Sequence, residues 1–251
     1  MTSFYTLFYK EVLRFWKVSL QTIVAPMVTA LLYLVIFGPA LQEHMQVYPG
    51  VSYTHFLIPG LMMMSVLQNA FANSATSLIQ SKLNGNLVFI LMAPLGAWEI
   101  FGAYVLASVV RGACVGLSVY LATVWFFPFG IAAPFYIAAF ILIGATMLGT
   151  LGLIAGIYAE KFDQMMSFQN FLIAPLTLLA GVFYSIHSLP PLWHAASRLN
   201  PFFYLIDGFR YGFFGISDLA PMTSLMITGG CCAALVWLAM RLLSSGYKLR
   251  N

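Results

Sequence analysis

The chain has 251 residues, of which 61% are hydrophobic, 16% aromatic and 7% charged, with mean hydropathy +0.91 and formal net charge +4. A soluble domain needs roughly 25% charged residues to solvate its surface, so eleven Lys and Arg with seven Asp and Glu exclude a soluble particle. The same hydrophobicity excludes a disordered chain. What remains is an all-α integral membrane protein, divided by bilayer spans of about 20 residues each.

Residues 1–18 read as an interfacial helix rather than a cleaved signal. Ser3, Thr6, Lys10, Arg14 and Lys17 recur every three or four positions, with Phe4, Leu7, Phe8, Phe15 and Trp16 on the other faces. Lys10, Arg14 and Lys17 are candidate membrane-surface residues that meet inner-leaflet headgroups; the alternative is a plain charged flank of the first span. Charge-free runs then mark spans at 20–41, 56–80, 98–127, 133–157, 166–186 and 221–243. The 48-residue run from Gly112 to Ala159 counts as two of these, because Pro128, Gly130 and Pro134 punctuate its middle. Backbone polar groups in hydrocarbon must be satisfied within the segment, which favours helices. The runs are continuous, unlike the short alternating strands of an outer-membrane barrel.

Six spans place both termini on one side. That side holds Lys10, Arg14, Lys17, Lys82, Lys161, Arg241, Lys248 and Arg250, against Arg198 and Arg210 opposite, so the positive-inside bias makes it cytoplasmic. Between the second and third spans lies 81–97, in which Asn84-Gly85 signals a turn and Pro94 disfavours helix before it. The apolar stretch Leu87–Met92 between them is too short to cross a bilayer. Its apolar face either enters a groove on a cytoplasmic partner or tucks against the chain's own helices.

Within the third span, Arg111 sits roughly 20 Å from the helix start at 1.5 Å per residue, where a charge costs about 2.5–3.5 kcal/mol or more. Glu99 is too far below to pair with it. Arg111 is therefore a contact for a headgroup or cargo, a structural buried cation, or a snorkelling side chain. Gly112/Gly116 and Gly152/Gly156 suit close helix approach, as packing or as a dimer seam. The outer region 187–220 is aromatic, with Trp193, Phe202, Phe203, Tyr204, Phe209, Tyr211, Phe213 and Phe214, and is split by prolines into short pieces. It reads as short re-entrant helices forming an outer gate (Asn200, Pro201, Tyr204, Asp207, Arg210), or as an aromatic anchor belt. Asp207 and Arg210 are spaced for an i,i+3 pair.

Catalytic and metal signatures are missing from the sequence. No Gly-Lys dipeptide occurs, which excludes a Walker A loop. No His-Glu-x-x-His and no Gly-x-Ser-x-Gly is present. His44, His55, His187 and His194 are scattered, and Cys114, Cys231 and Cys232 fall in spans without metal spacing. The expectation is no enzyme, no catalytic residue, no metal and no cofactor on this chain. A secondary transporter would want acidic groups within its spans, and Glu99 at a helix end is the closest thing to one.

These residues resemble a family. Lys82, Gly85, Leu87–Met92, Pro94 and Glu99 are similar to the cytoplasmic segment after the second helix of ABC-2-type permeases, the membrane subunits of ATP-binding-cassette exporters. Ala159–Asp163 stands at that family's second cytoplasmic loop, and Pro175, Gly181–Tyr184 and Leu189-Pro190 resemble its fifth helix and exit. The most specific stretch is Asn200–Tyr204 followed by Gly208–Gly212, and the branch with the closest resemblance is multidrug and polysaccharide export. The resemblance implies a permease for a hydrophobic or lipid-linked cargo, such as a drug, lipid or polysaccharide. It implies a homodimer in lipid, with a separate cytoplasmic ABC ATPase that binds ATP and Mg and no nucleic acid partner. It also implies coupling to that ATPase through Lys82, Gly85, Leu87, Phe89, Leu91, Pro94, Glu99 and Lys161. The expected location is the bacterial inner membrane, multi-pass, with both termini cytoplasmic. A stand-alone secondary transporter or a membrane scaffold without an ATPase stands as the alternative.

Overall fold

The computed structural model describes residues 2–42, 47–246 and 248, and the described part is helical throughout apart from turns and one isolated bridge between Tyr48 and Val51. His44, Arg250 and Asn251 lie outside the described residues. Helix α1 (Thr2–Trp16) occupies the expected interfacial segment. A π-helical turn at Leu20–Val24 then runs into α2 (Ala25–Gln42). Next come α3 (Tyr53–Leu83), the short α4 (Leu87–Met92), α5 (Ala97–Phe126) and α6 (Pro134–Tyr158). Helix α7 (Phe162–Phe168) passes through a second π-helical turn, Gln169–Ile173, into α8 (Ala174–Leu178). The chain closes with α9 (Pro191–Leu199), α10 (Pro201–Phe214) and α11 (Pro221–Ser245).

Among the described residues five helices are long and apolar enough to cross a membrane: Leu20–Ala40, Tyr53–Leu83, Ala97–Phe126, Pro134–Tyr158 and Pro221–Ser245. They match five of the expected spans to within about three residues. The expected span 166–186 differs. Its helical part starts earlier, at Phe162, is interrupted by the π turn, and ends at Leu178. The chain leaves the helix at Gly181, whose φ of +75° lies in the left-handed region that favours glycine. Residues that would have continued the helix instead present carbonyls sideways: Gly181 accepts from Arg210 at 2.9 Å and Phe183 from Tyr53 at 2.9 Å.

Helix α3 is the axis of the bundle. It is mostly buried and packs chiefly against α6 and α5, with α2 and α10 completing its surround. Its enclosure explains why it has the lowest hydropathy of the five spans yet the highest burial, since Ser65, Asn73, Ser74, Ser77 and Ser81 are shielded from lipid by neighbouring helices. The outer helices α2 and α11 are the opposite case, with 17% and 11% of their apolar windows buried. They present hydrocarbon side chains outward, as a lipid-facing helix does.

Glycines on α6 set the α3–α6 distance. A Cβ at Gly152 would strike the Phe71 carbonyl, and one at Gly156 would come within 2.9 Å of the Leu78 Cβ. The Gly112/Gly116 pair on α5 meets Val66 of α3 in the same way. Both glycine pairs thus serve packing within one chain. We predict that Gly152→Val lowers the stability of the purified protein by about 1–3 kcal/mol through overpacking against backbone. Gly229→Ala, in open space on α11, is expected to be silent in the same thermal melts.

Candidate functional site

Two regions collect the residues singled out in the sequence: the end of the bundle that carries α1 and α4, and the opposite end around α10. At the first, α1 and α4 are seated on one apolar cluster. Leu7 of α1 and Leu87 of α4 are buried together with Leu78, Phe101, Tyr104, Leu153 and Ile157 from α3, α5 and α6. Leu91 packs half-buried against the same cluster. Helix α4 therefore turns one side inward, while Val88, Phe89 and Met92 point out with 57%, 73% and 77% of their surface exposed. A groove of about 450 Å³ runs between α1 and this segment, lined by Leu7, Lys10, Phe89, Ile90, Ala93 and Leu95 among others. Gly85, with φ +71°, makes the turn that allows α4 to fold back below α3.

The polar residues of this end are largely structural. Lys82 is turned onto the end of α6, where its Nζ donates to the carbonyls of Ile157 (2.5 Å) and Ala159 (3.1 Å), a favourable place for a cation. Glu99 accepts the Gly96 N–H at 2.7 Å and so fixes the start of α5. Pro94 and Lys161 are exposed. Beside Lys161, Glu160 accepts from Lys248 at 2.9 Å, and the hydrogen bond and charge of Lys248 hold its carboxyl below the usual range.

The three basic residues of α1 part company. Lys10 and Lys17 stay exposed, but Arg14 turns inward onto α3. Its Nη2 donates to the Asn73 carbonyl (2.7 Å) and to Asn73 Oδ1 (3.0 Å), its Nη1 to Thr76 (3.3 Å), and its Nε to Glu11 (3.3 Å). Glu11 is fully buried and also pairs with Lys10 at 2.9 Å. Sequence reasoning missed Glu11, Asn73 and Thr76. The available signal was the single acid between two bases on α1, together with amide side chains inside an otherwise apolar span.

At the other end, the expected gate residues form a closed polar clasp. Asn200 accepts the Phe202 N–H (3.0 Å) as the cap of α10 and donates to the Leu176 carbonyl (2.6 Å), with Pro201 at the first turn. Tyr204 donates to the Arg198 carbonyl at 2.8 Å. Asp207 and Arg210 do not form the expected ion pair: the ion pairs of the described residues are Lys10–Glu11, Arg14–Glu11 and Lys248–Glu160. Asp207 instead accepts the N–H groups of Asp218 (2.8 Å) and Leu219 (3.0 Å). Arg210 stacks on the Phe56 ring at 3.7 Å. Asp218, missed in the sequence, gathers Ser185, the Ile186 N–H and Tyr48 at 2.7–3.0 Å. The aromatic belt also fails in its simple form. Trp193 is exposed, but Phe202, Phe203, Tyr204, Phe209 and Phe213 are buried in the bundle.

The sequence profile described as ABC-2 type transporter matches residues 2–214. The chain belongs to this family. It is 38% identical over 242 residues to the inner membrane transport permease YadH of Escherichia coli strain K12, covering 96% of this chain and 94% of that protein. The protein of the same name from Shigella flexneri gives the same figures. Nodulation protein J of Rhizobium meliloti strain 1021 is 25% identical over 233 residues, 90% of this chain and 86% of that one. The chain is therefore a multi-pass inner-membrane protein, the permease subunit of an ABC transporter and not an enzyme. The family implies partnership with an ABC ATPase subunit.

Asp207 supplies a stability test of the clasp. Asp207→Ala leaves the half-buried backbone N–H groups of Asp218 and Leu219 without this acceptor, at a cost of up to about 1–3 kcal/mol each. Tyr48→Phe removes one hydroxyl from a site that keeps its other donors. Thermal melts in detergent should rank Asp207→Ala well below Tyr48→Phe; equal losses would mean that the clasp does not carry the α10 end.

Proposed function

We propose that this chain is the permease half of an exporter that moves a hydrophobic or lipid-linked cargo outward across the inner membrane. The cargo class is a drug, a lipid or a polysaccharide carried on a lipid. Two copies form the pathway, and two ATPase subunits hold the ATP and Mg. Both termini are cytoplasmic. The segment Phe162–Leu178, about 25 Å of helix at 1.5 Å per residue, serves as the fifth of six crossings with residues 179–186 completing it. Helices α9 and α10 are the re-entrant pieces of the outer gate, and α1 lies at the inner leaflet.

The observation that carries this reading is the outward apolar face of α4. Val88, Phe89 and Met92 are exposed on the side where the Lys and Arg bias puts the cytoplasm. An exposed aromatic anchor beside a groove is how a helix inserts into a partner. In this reading Phe89 and Leu91 make or back the contact, Gly85 and Pro94 shape the segment, and Leu87, Lys82 and Glu99 hold it to the bundle. Lys161 supplies a second, smaller contact.

The deciding experiment is affinity purification of the tagged chain from its native membrane, with mass spectrometry of what stays bound. Recovery of a P-loop ATPase in equal amount is expected. Repeated recovery of the intact chain without one would overturn the reading in favour of a stand-alone transporter or scaffold. Phe89→Asp should then weaken ATPase retention by about tenfold or more with the melting temperature unchanged. Leu87→Asp should lower the melting temperature itself, because Leu87 is buried in the cluster under α4.

A further inference from the structure

We infer that a recess on the side of the bundle, between α5, α6 and α10, is a binding site for one acyl chain of a resident phospholipid. Ala113, Gly116, Leu117 and Tyr120 stand on one face of α5 by helical spacing, and the first two are too small to fill the space before them. Gly116 is held small by α3, since a Cβ there would come within 2.8 Å of Val66. The space left over is about 220 Å³. Buried Met62 of α3 and Phe213 of α10 form its floor, with Ile137 and Ile141 of α6 as the facing wall. The rings of Tyr120, Phe129 and Phe213, with centroids 5.4–6.2 Å apart, close it toward the α5–α6 connection. Leu117 and Ile131 are exposed at its mouth, so it opens sideways.

Depth decides what fills it. Ala113 to Tyr120 lie roughly 9–20 Å before the end of α5, and Ile137 and Ile141 roughly 5–11 Å into α6, at 1.5 Å per residue. Both helices are long and apolar enough to cross a membrane, so the mouth stands within the hydrocarbon layer of about 30 Å. Water is a poor occupant, because an ordered water needs about two to four polar partners and the lining side chains offer the Tyr120 hydroxyl alone. The charge on the same helix, Arg111, turns to Asn69 of α3 at 3.0 Å and does not line the recess.

The surrounding lipid is as apolar as the lining, so entering the recess brings no hydrophobic gain. What it brings is van der Waals contact with walls fixed by helix packing, which an empty void forgoes. An apolar cavity of about 150 Å³ takes a six-carbon ring; on that scale 220 Å³ suits a stretch on the order of eight methylenes. Phospholipid chains already stand at this depth beside exposed Leu117 and Leu121, whereas a cargo molecule would have to be delivered. The site requires membrane insertion only, so it stands or falls separately from the exporter reading and from the orientation of the chain.

The test is photolabelling of the full chain in vesicles of phosphatidylethanolamine and phosphatidylglycerol that carry a phospholipid with a diazirine midway along one acyl chain. Labelled residues are mapped by peptide mass spectrometry, with exposed Val35 of α2 and Met226 of α11 as the bulk-lipid reference. Wild type should label around Ala113–Tyr120 and Ile137–Ile141 about threefold or more above that reference. Ala113→Phe fills the recess from α5 and Ile141→Phe from α6; each should bring labelling there down to the reference level, with the reference and the melting temperature kept. Wild-type labelling no higher than the reference, or labelling unchanged in both filled variants, would overturn the site, and the wild-type comparison decides even if neither variant folds. A second copy covering this face would appear as absent label, which overturns it equally. Excess polyprenyl monophosphate should leave the pattern unchanged; its displacement of the acyl label would overturn the resident phospholipid in favour of a cargo site.

Discussion

The contact between α3 and α6 is the constraint on which the rest of the bundle depends. Gly152 and Gly156 bring the two backbones together, and in a bilayer such closeness stands in for the hydrophobic drive that soluble helices enjoy. With α3 enclosed by α6, α5, α2 and α10, its polar side chains can be satisfied inside protein. Asn69, Asn73, Ser74 and Thr76 then become anchor points for arginines and hydroxyls from α1 and α5. A lipid-exposed α3 could not carry them.

The two ends of the bundle are built on different physics. At the end carrying α4, apolar surface is left uncovered on a helix that is otherwise seated in a core cluster, and charged residues neighbour it. At the α10 end, the two buried charges are bonded to backbone, Arg210 through Nη2 to the Gly181 carbonyl and Asp207 to the N–H groups of Asp218 and Leu219, while Arg210 Nε has no hydrogen-bond partner. One end leaves the apolar outer side of α4 bare. The other is held together by hydrogen bonds from α10 to neighbouring segments of the chain.

The spans were legible because apolar runs and charge gaps report bilayer solvation directly, and five helices fall within a few residues of expectation. Across the fifth expected crossing, 166–186, the helix ends at Leu178 and the turn at Gly181 is held by hydrogen bonds from α3 and α10, which the charge-free run from Gln164 to Ser197 does not report. Those partners are distant in sequence. The same cause explains the Asp207–Arg210 error. Spacing of three placed both residues on α10, but each found a better neighbour on another segment. Arg14 turned from the surface because Asn73 and Glu11 satisfied it, and helical periodicity alone does not encode such a pairing. The α4 segment was read correctly as short, turned and apolar; which of its side chains face outward depended on the cluster below it.

The grip of Arg14 on the Asn73 carbonyl has a mechanical consequence. The first span begins a few residues after Arg14, with its N-terminal end thereby tied to the most enclosed helix of the bundle, while its own surface is mostly bare. A rod clamped at one end bends from the other. The π-helical turn at Leu20–Val24, just past the clamp, is the place where that rod is jointed, so the span from Ala25 onward pivots about its clamped end.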